Sequence, residues 1–284
     1  MYIKSPMNYI GGKYKLLESI LNKFPNKIDT FVDLFAGGFN VGINVEANKI
    51  VCNDILNYVI ELYKYIKSEN TKELFIKIEK IIDKYKLDKE NQEGYLNLRL
   101  EYNQKKDSLL FFVLICFSFN HQIRFNNNQL FNTPFGKNRS SYNNNIKKNL
   151  KNFSKALKEK DIIFSSLNFN DVDLSALTKK DLVYCDPPYL ITTGSYNDGN
   201  RGFKDWGIKE EKELLKLLDR LNRNKVKFAL SNVLYHKELK NEQLIEWSKK
   251  YNIYYLDKNY DNCNYQVKKS NNQTMEVLIT NFKY

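Results

Sequence analysis

The sequence predicts an α/β fold: a parallel sheet with helices on both faces. Three apolar stretches predict it, because each ends abruptly in polar or turn-forming residues and is followed by a helical pattern. Thr30-Phe31-Val32-Asp33 runs into Gly37-Gly38, and Lys49-Ile50-Val51-Cys52 runs into Asn53-Asp54. Asp181-Leu182-Val183-Tyr184-Cys185 runs into Asp186-Pro187-Pro188-Tyr189. Helices are expected near 41–48, 56–67 and, after a long loop, 208–223. Further strands at 162–165, 226–231, 253–256 and 276–280 extend the sheet. Ligands in such sheets bind beyond the carboxyl ends of the strands, where all three stretches stop.

Between about 70 and 155 the pattern changes. Helices are expected at 71–85 and 93–102, then a buried apolar run at 109–119, then an Asn-rich, aromatic, basic stretch from 120 to 145. No strand–helix alternation is visible there, so this part reads as an insertion packed onto the sheet domain. The chain divides accordingly into 1–69 with 156–284, and the inserted 70–155. Asparagine clusters at 126–128, 143–145 and 271–272 read as local loop signals.

With 284 residues, 42% of them hydrophobic, the chain can bury a sizeable core. Lys and Arg total 45 against 33 Asp and Glu, a net charge of +12. Such an excess suits a polyanion such as nucleic acid, although a lysine- and asparagine-rich composition accounts for it equally well. Four scattered cysteines without C-x-x-C spacing, and only two histidines, leave no expected metal site. Reduced thiols and the absence of an apolar leader or a bilayer-length apolar run point to a soluble cytoplasmic protein with no membrane partner.

Asp186-Pro187-Pro188-Tyr189 is the most informative segment. The lone pair of an exocyclic amine on a base is delocalised into the ring, so the amine is a poor nucleophile. A carboxylate and a backbone carbonyl accepting its two N–H bonds draw the nitrogen toward tetrahedral geometry and aim the lone pair at an electrophilic methyl. Asp186 and the Pro187 carbonyl are suited to accept, Pro187 and Pro188 fix the turn, and Tyr189 offers a face for an extruded base. In isolation the segment also fits a plain strand-ending turn.

The glycines after Asp33-Leu34-Phe35-Ala36 allow close backbone approach to a ligand. Asp54, 21 residues beyond Asp33, occupies the place of a ribose-binding acid, or else caps the following helix. Neither G-x-G-x-x-G nor a Walker lysine is present. Asn8-Tyr9-Ile10-Gly11-Gly12-Lys13 is, on local evidence, a glycine turn with a surface lysine.

Taken together these segments resemble the Dam-like (D12 class, alpha group) DNA adenine-N6 methyltransferases. Residues 8–13 are similar to that family's W-x-G-G-K segment, with Tyr9 in the aromatic place, and 33–38 to its D/E-x-F-x-G motif. Val51 to Asp54 resembles the motif with the ribose-binding acid, Asn168-Phe169 the pair around the cofactor adenine, and 186–189 the catalytic motif. Phe131-Asn132-Thr133-Pro134-Phe135-Gly136 is similar to the F-N-V-P-F-G recognition signature, and Arg124 lies ten residues before Pro134, the family's offset for a base-contacting arginine. Ser270-Asn271-Asn272 and Glu276-Val277-Leu278 resemble its last motif. The sequence departs at Phe39, where many relatives carry a further glycine, at Asn168 in place of an acid, at Thr133 and at Asn126 to Gln129.

The resemblance implies a Rossmann-like sheet that binds S-adenosylmethionine, with an inserted, mainly helical target-recognition domain carrying a β-hairpin. It implies transfer of the cofactor's methyl to a flipped adenine in a short duplex site, with no metal. The cofactor site would comprise Tyr9, Lys13, Asp33, Phe35, Gly37, Asp54, Asn168 and Phe169; catalysis falls to Asp186, Pro187, Pro188 and Tyr189. Double-stranded DNA would meet Asn120, Arg124, Asn126, Asn132, Pro134, Lys137 and Arg139, with Lys147, Lys148 and Lys151 at phosphates or simply solvated. The 191–205 loop is expected to close over the base. GATC and other short palindromes both remain open as the site. A nucleoid-associated role in a prokaryote or phage is implied, without an obligatory protein partner, a restriction enzyme acting separately if one exists. Rival readings are cytosine-N4 or RNA-adenine methylation, and a DNA-binding protein that kept the fold without the activity.

Overall fold

Side chains alternate between two cores along the strands, as a sheet covered on both faces requires. Phe31, Ile50, Cys52, Leu182, Tyr184, Ala229 and Leu278 face one core; Val32, Val183, Cys185, Phe228, Leu230, Val277 and Ile279 face the other. The computed structural model describes residues 2–9, 11–192, 206–256 and 274–283. The strands among them are β1 (Thr30–Asp33), β2 (Lys49–Asn53), β3 (Ile162–Ser165), β4 (Leu182–Cys185), β5 (Lys227–His236), β6 (Leu239–Lys240), β7 (Asn252–Tyr255) and β8 (Thr274–Thr280). They form one sheet of order β3-β2-β1-β4-β5-β8-β7, with β6 on β5. β1 to β5 run parallel; β8 is antiparallel to both β5 and β7. The order reverses between β1 and β4, the place where open α/β sheets hold ligands.

The first face is covered by α1 (Leu17–Leu21), α2 (Asn57–Ser68), α3 (Thr71–Lys84), α4 (Gln92–Lys105), α5 (Ser108–Phe117) and α6 (Asn144–Glu159), whose apolar residues share one core with the sheet. The opposite face is covered by α7 (Ile208–Arg223) and α8 (Glu242–Ser248). Asparagine and aspartate start most of these helices. Asn70, Asn91, Asp107, Asn143 and Asn241 each accept a backbone N–H from the first turn of α3, α4, α5, α6 and α8, which offsets the lost partners of a helix end. In α5 every residue from Leu109 to Phe117 is buried, so the apolar run is a helix surrounded by protein.

Two sequence expectations need correction. The helix at 41–48 is only a 3₁₀ turn, Gly42–Asn44. Asp33 Oδ2 accepts the Gly42 N–H, Asn44 Nδ2 donates to the Asn40 and Ile3 carbonyls, and Val45 is already extended. The asparagines at 143–145, read as loop, cap and begin α6, which continues past residue 155 and feeds β3. Its buried Ile146, Leu150, Phe153 and Leu157 follow the spacing of one helical face. Among the described residues no helix is long and apolar enough to cross a membrane.

Candidate active site

At the β1–β4 reversal the sheet opens into a cavity of about 580 Å³. Tyr9, Lys13, Asp33, Phe35, Gly37, Asp54, Asn168, Phe169, Asp186, Pro187, Pro188 and Tyr189 all line it. The fold therefore brings the whole expected cofactor and catalytic set to one space.

The glycine side is shaped by Gly37, whose φ of +47° favours glycine and where a Cβ would stand 2.9 Å from the Tyr9 ring. Asp54 fixes this turn: Oδ2 accepts the Gly37 N–H at 2.7 Å and Oδ1 accepts the Leu56 N–H at 2.9 Å. Phe39, at a φ of 55°, adopts a left-handed backbone that side chains rarely take. Its fully buried ring, packed against Tyr63 and Phe153, offsets that cost. Asp33 Oδ2 accepts the Gly42 N–H at 3.1 Å, while its buried Oδ1 has no protein partner. Burial, reinforced by Asp186 and Asp54, pushes this carboxyl up to about 8 against the opposing Gly42 bond.

The other wall is aromatic. Phe35 and Phe169 lie 5.4 Å apart between centroids, and Trp206 meets each at 5.6 Å, edge-on to Phe35. Glu211, buried in α7, accepts the Trp206 indole N–H at 3.1 Å and so holds the ring. Trp206 belongs to no periodic pattern or motif, so sequence reading missed it. Asn168 is exposed, its Oδ1 accepting the Asn170 N–H.

At the 186–189 turn Lys13 is buried with its Nζ 2.8 Å from Asp186 Oδ2 and 3.5 Å from Glu276. Lys13, expected beside the cofactor on a surface turn, is thus an interior cation at the carboxylate. It also sits 5.1 Å over the Tyr189 ring. The Tyr189 hydroxyl lies 2.9 Å from both Asp186 Oδ1 and Glu276 Oε1. Burial opposes the Lys13 charge, but Asp186 and Glu276 outweigh it and raise the ammonium above its usual range. Burial likewise raises Asp186, against the pull of Lys13. Glu276, delivered by β8, was absent from the expected site, although its segment resembled the last family motif.

None of the residues expected at DNA lines this cavity. The expected hairpin is represented by two isolated antiparallel bridges, Ser118–Phe135 and Phe125–Phe131, and not by a ladder. Asn126 Oδ1 accepts the Asn128 and Leu130 N–H groups and so builds the turn. Arg139 is exposed, stacks 4.7 Å over Phe119 and donates to Asn120 Oδ1. Pro134 and Lys137 are exposed and Arg124 is half-buried; Asn132 Oδ1 is buried without a partner. Lys147 pairs with Glu79, and Tyr142 and Phe125 are packed inside. Residues 193–205 of the expected closing loop, Ser270-Asn271-Asn272 and Cys263 lie outside the described residues.

The chain is 55% identical over 281 residues to the type II methyltransferase M.FokI of Planomicrobium okeanokoites, covering 99% of this chain and 43% of that protein. It is 49% identical over 284 residues to the modification methylase StsI of Streptococcus sanguinis, with coverages of 99% and 43%. It thus spans less than half the length of these two relatives. To the DNA adenine methylase of Salmonella typhi it is 25% identical over 237 residues, covering 80% of this chain and 79% of that protein. The sequence profile that matches residues 9–262 begins at Tyr9, on the cavity wall, and takes in the whole 186–189 turn; by that match the chain belongs to the D12 class N6 adenine-specific DNA methyltransferases.

Proposed function

We propose that this chain transfers a methyl group from S-adenosylmethionine to the N6 amine of an adenine rotated out of duplex DNA. The observation that carries the reading is the Asp186-Pro187-Pro188-Tyr189 turn, opening at the β1–β4 reversal onto the cavity that Asp33, Gly37 and Asp54 also line. The residues fit that cofactor. The orphaned Asp33 Oδ1 suits the ammonium of an amino-acid moiety, and Gly37 leaves space that a Cβ would fill. Asp54 suits ribose hydroxyls, and Phe35, Phe169 and Trp206 offer apolar rings to an adenine. Tyr9 and Asn168 complete the lining. When bound, the cofactor supplies an electrophilic methyl on a sulfonium.

Asp186 and the Pro187 carbonyl accept the N–H bonds of the target amine and expose its lone pair. The two prolines hold that geometry, and Lys13 fixes the carboxylate. Tyr189 stacks the base. In this reading 70–155 is the target-recognition domain and the remainder the catalytic domain. Arg124 and Asn132 would read base edges. Pro134, Lys137, Arg139, Asn120 and Asn126 would position the duplex. The named modification methylases among the relatives favour a role in restriction–modification, in the bacterial cytoplasm, beside a separate restriction enzyme. Labelled methyl transfer to unmethylated genomic DNA, followed by modification-sensitive sequencing, tests this. N6-methyladenine in one short motif is expected; no transfer despite cofactor binding would overturn it.

A further inference from the structure

We propose that Tyr189 and Glu276 form the route by which the proton released in each turnover leaves Asp186. The inference rests on the reading above, in which Asp186 accepts an N–H of the target amine. In that reaction a C–N bond forms and the C–S bond breaks, its electron pair staying on sulfur. The nitrogen begins with two hydrogens and ends with one. One proton is therefore released at Asp186, the carboxylate facing the amine.

Among the described residues, the surroundings of Asp186 offer one protein path. Oδ2 faces the Lys13 ammonium at 2.8 Å, which is donor-only and cannot take a proton. Oδ1 faces the Tyr189 hydroxyl at 2.9 Å. A hydroxyl donates one bond and accepts others, and this one has two carboxylate neighbours, Asp186 and Glu276, at the same 2.9 Å. With Asp186 ionised, Tyr189 donates to it. With Asp186 protonated, the carboxyl O–H donates to the tyrosine oxygen, and the tyrosine passes its own proton to Glu276. The outcome is an ionised Asp186, an unchanged Tyr189 and a protonated Glu276. Glu276 is 24% exposed against 18% for Asp186 and 5% for Lys13, and it returns the proton to water. Lys13 stands beside both carboxylates, so the charge that moves between them remains paired throughout. The arrangement also accounts for tyrosine at 189, since a phenyl ring alone would suffice for stacking.

The test follows methylated product by rapid quench and proton release by a pH indicator, on the full chain with duplex DNA, for wild type, Tyr189→Phe, Glu276→Gln and the double variant. In wild type the two signals coincide. In each variant proton release should lag methylation, with turnover lowered about tenfold, below the hundredfold or more of a direct acid–base group. The double variant should be no slower than the slower single one, because both lie on one path. Formate should restore both turnover and coincident proton release to Glu276→Ala. Coincident signals in both single variants, or no rescue by formate, would overturn the relay while leaving the methyltransferase reading intact. A wild-type protein that binds cofactor and transfers no methyl would overturn that parent reading and the relay with it.

Discussion

At the strand ends, carboxylates and aromatic rings face a shared cavity; between Ser118 and Arg139, asparagine and arginine largely face their own chain. The contrast has a physical cause. In the first region parallel ladders already pair the backbone, so Asp33 Oδ1 and the aromatic wall are left for a ligand. The second region has two isolated bridges in place of a ladder, and buried or turning backbone must find partners elsewhere. Asn126 supplies them to Asn128 and Leu130, Tyr95 donates to the Thr133 carbonyl, and the Asn103 side chain serves Phe131. At the strand ends Asp54 and Asp33 Oδ2 also hold turns, but Asp33 Oδ1 is left over, whereas the polar side chains of the irregular segment are largely taken up in holding it together.

The largest effect separating the two regions is expected at Asp33. Its carboxyl lies at about 8 in the fold and near 3.9 in an unfolded chain. The unfolded state therefore gives up the proton first, and the ligand-free fold loses stability as pH rises from about 4 to about 8. At ~1.4 kcal/mol per pKa unit the full span is on the order of 5 kcal/mol. Asp33→Asn keeps an acceptor for Gly42 and removes the charge. Its Tm advantage over wild type should widen between about pH 5 and about pH 8; an unchanging difference would sink the assignment. Gly37→Ala comes next, with about 1–2 kcal/mol of left-handed strain and a Cβ 2.9 Å from Tyr9. Cofactor affinity, followed through Trp206 fluorescence in a Trp247→Phe background, should fall about tenfold.

The second region is sharpened by pairing two substitutions. Arg124→Ala should weaken discrimination at one base by about 1–3 kcal/mol and leave stability nearly unchanged. Asn126→Ala should do the reverse, costing about 1 kcal/mol of stability, as loss of a cap does, without changing the methylated motif. If Asn126→Ala relaxed the motif at full stability, its structural assignment would be wrong. The smallest effect belongs to Lys137→Ala, which should lower the salt slope of DNA binding by about 1.

Much of the cavity was legible in sequence because strand ends carry short, contiguous signals. Asp33 to Gly38, Asp54 and the 186–189 turn each follow an apolar run, and each reaches the same space. Lys13 looked like a surface residue because nothing local reveals that β8 brings a second carboxylate to it. Trp206 left no local pattern, and Glu276, although its segment resembled the last family motif, reaches the site only through a contact between distant segments. In α6 the run of asparagines hid a helix, because the same residue type marks both loops and N-caps. The 41–48 segment had helical periodicity, but bonds from Asp33 to Gly42 and from Asn44 to the distant Ile3 accompany its shortening to one turn.

The most direct test of the account is Asp186→Ala, assayed for methyl transfer and for cofactor binding on the same preparation. Transfer should fall by about a hundredfold to ten-thousandfold, while cofactor binding changes only a few-fold, since Asp33, Gly37, Asp54 and the aromatic wall remain. Transfer that survives the substitution at near wild-type rate would contradict the placement of the chemistry at the β4 turn.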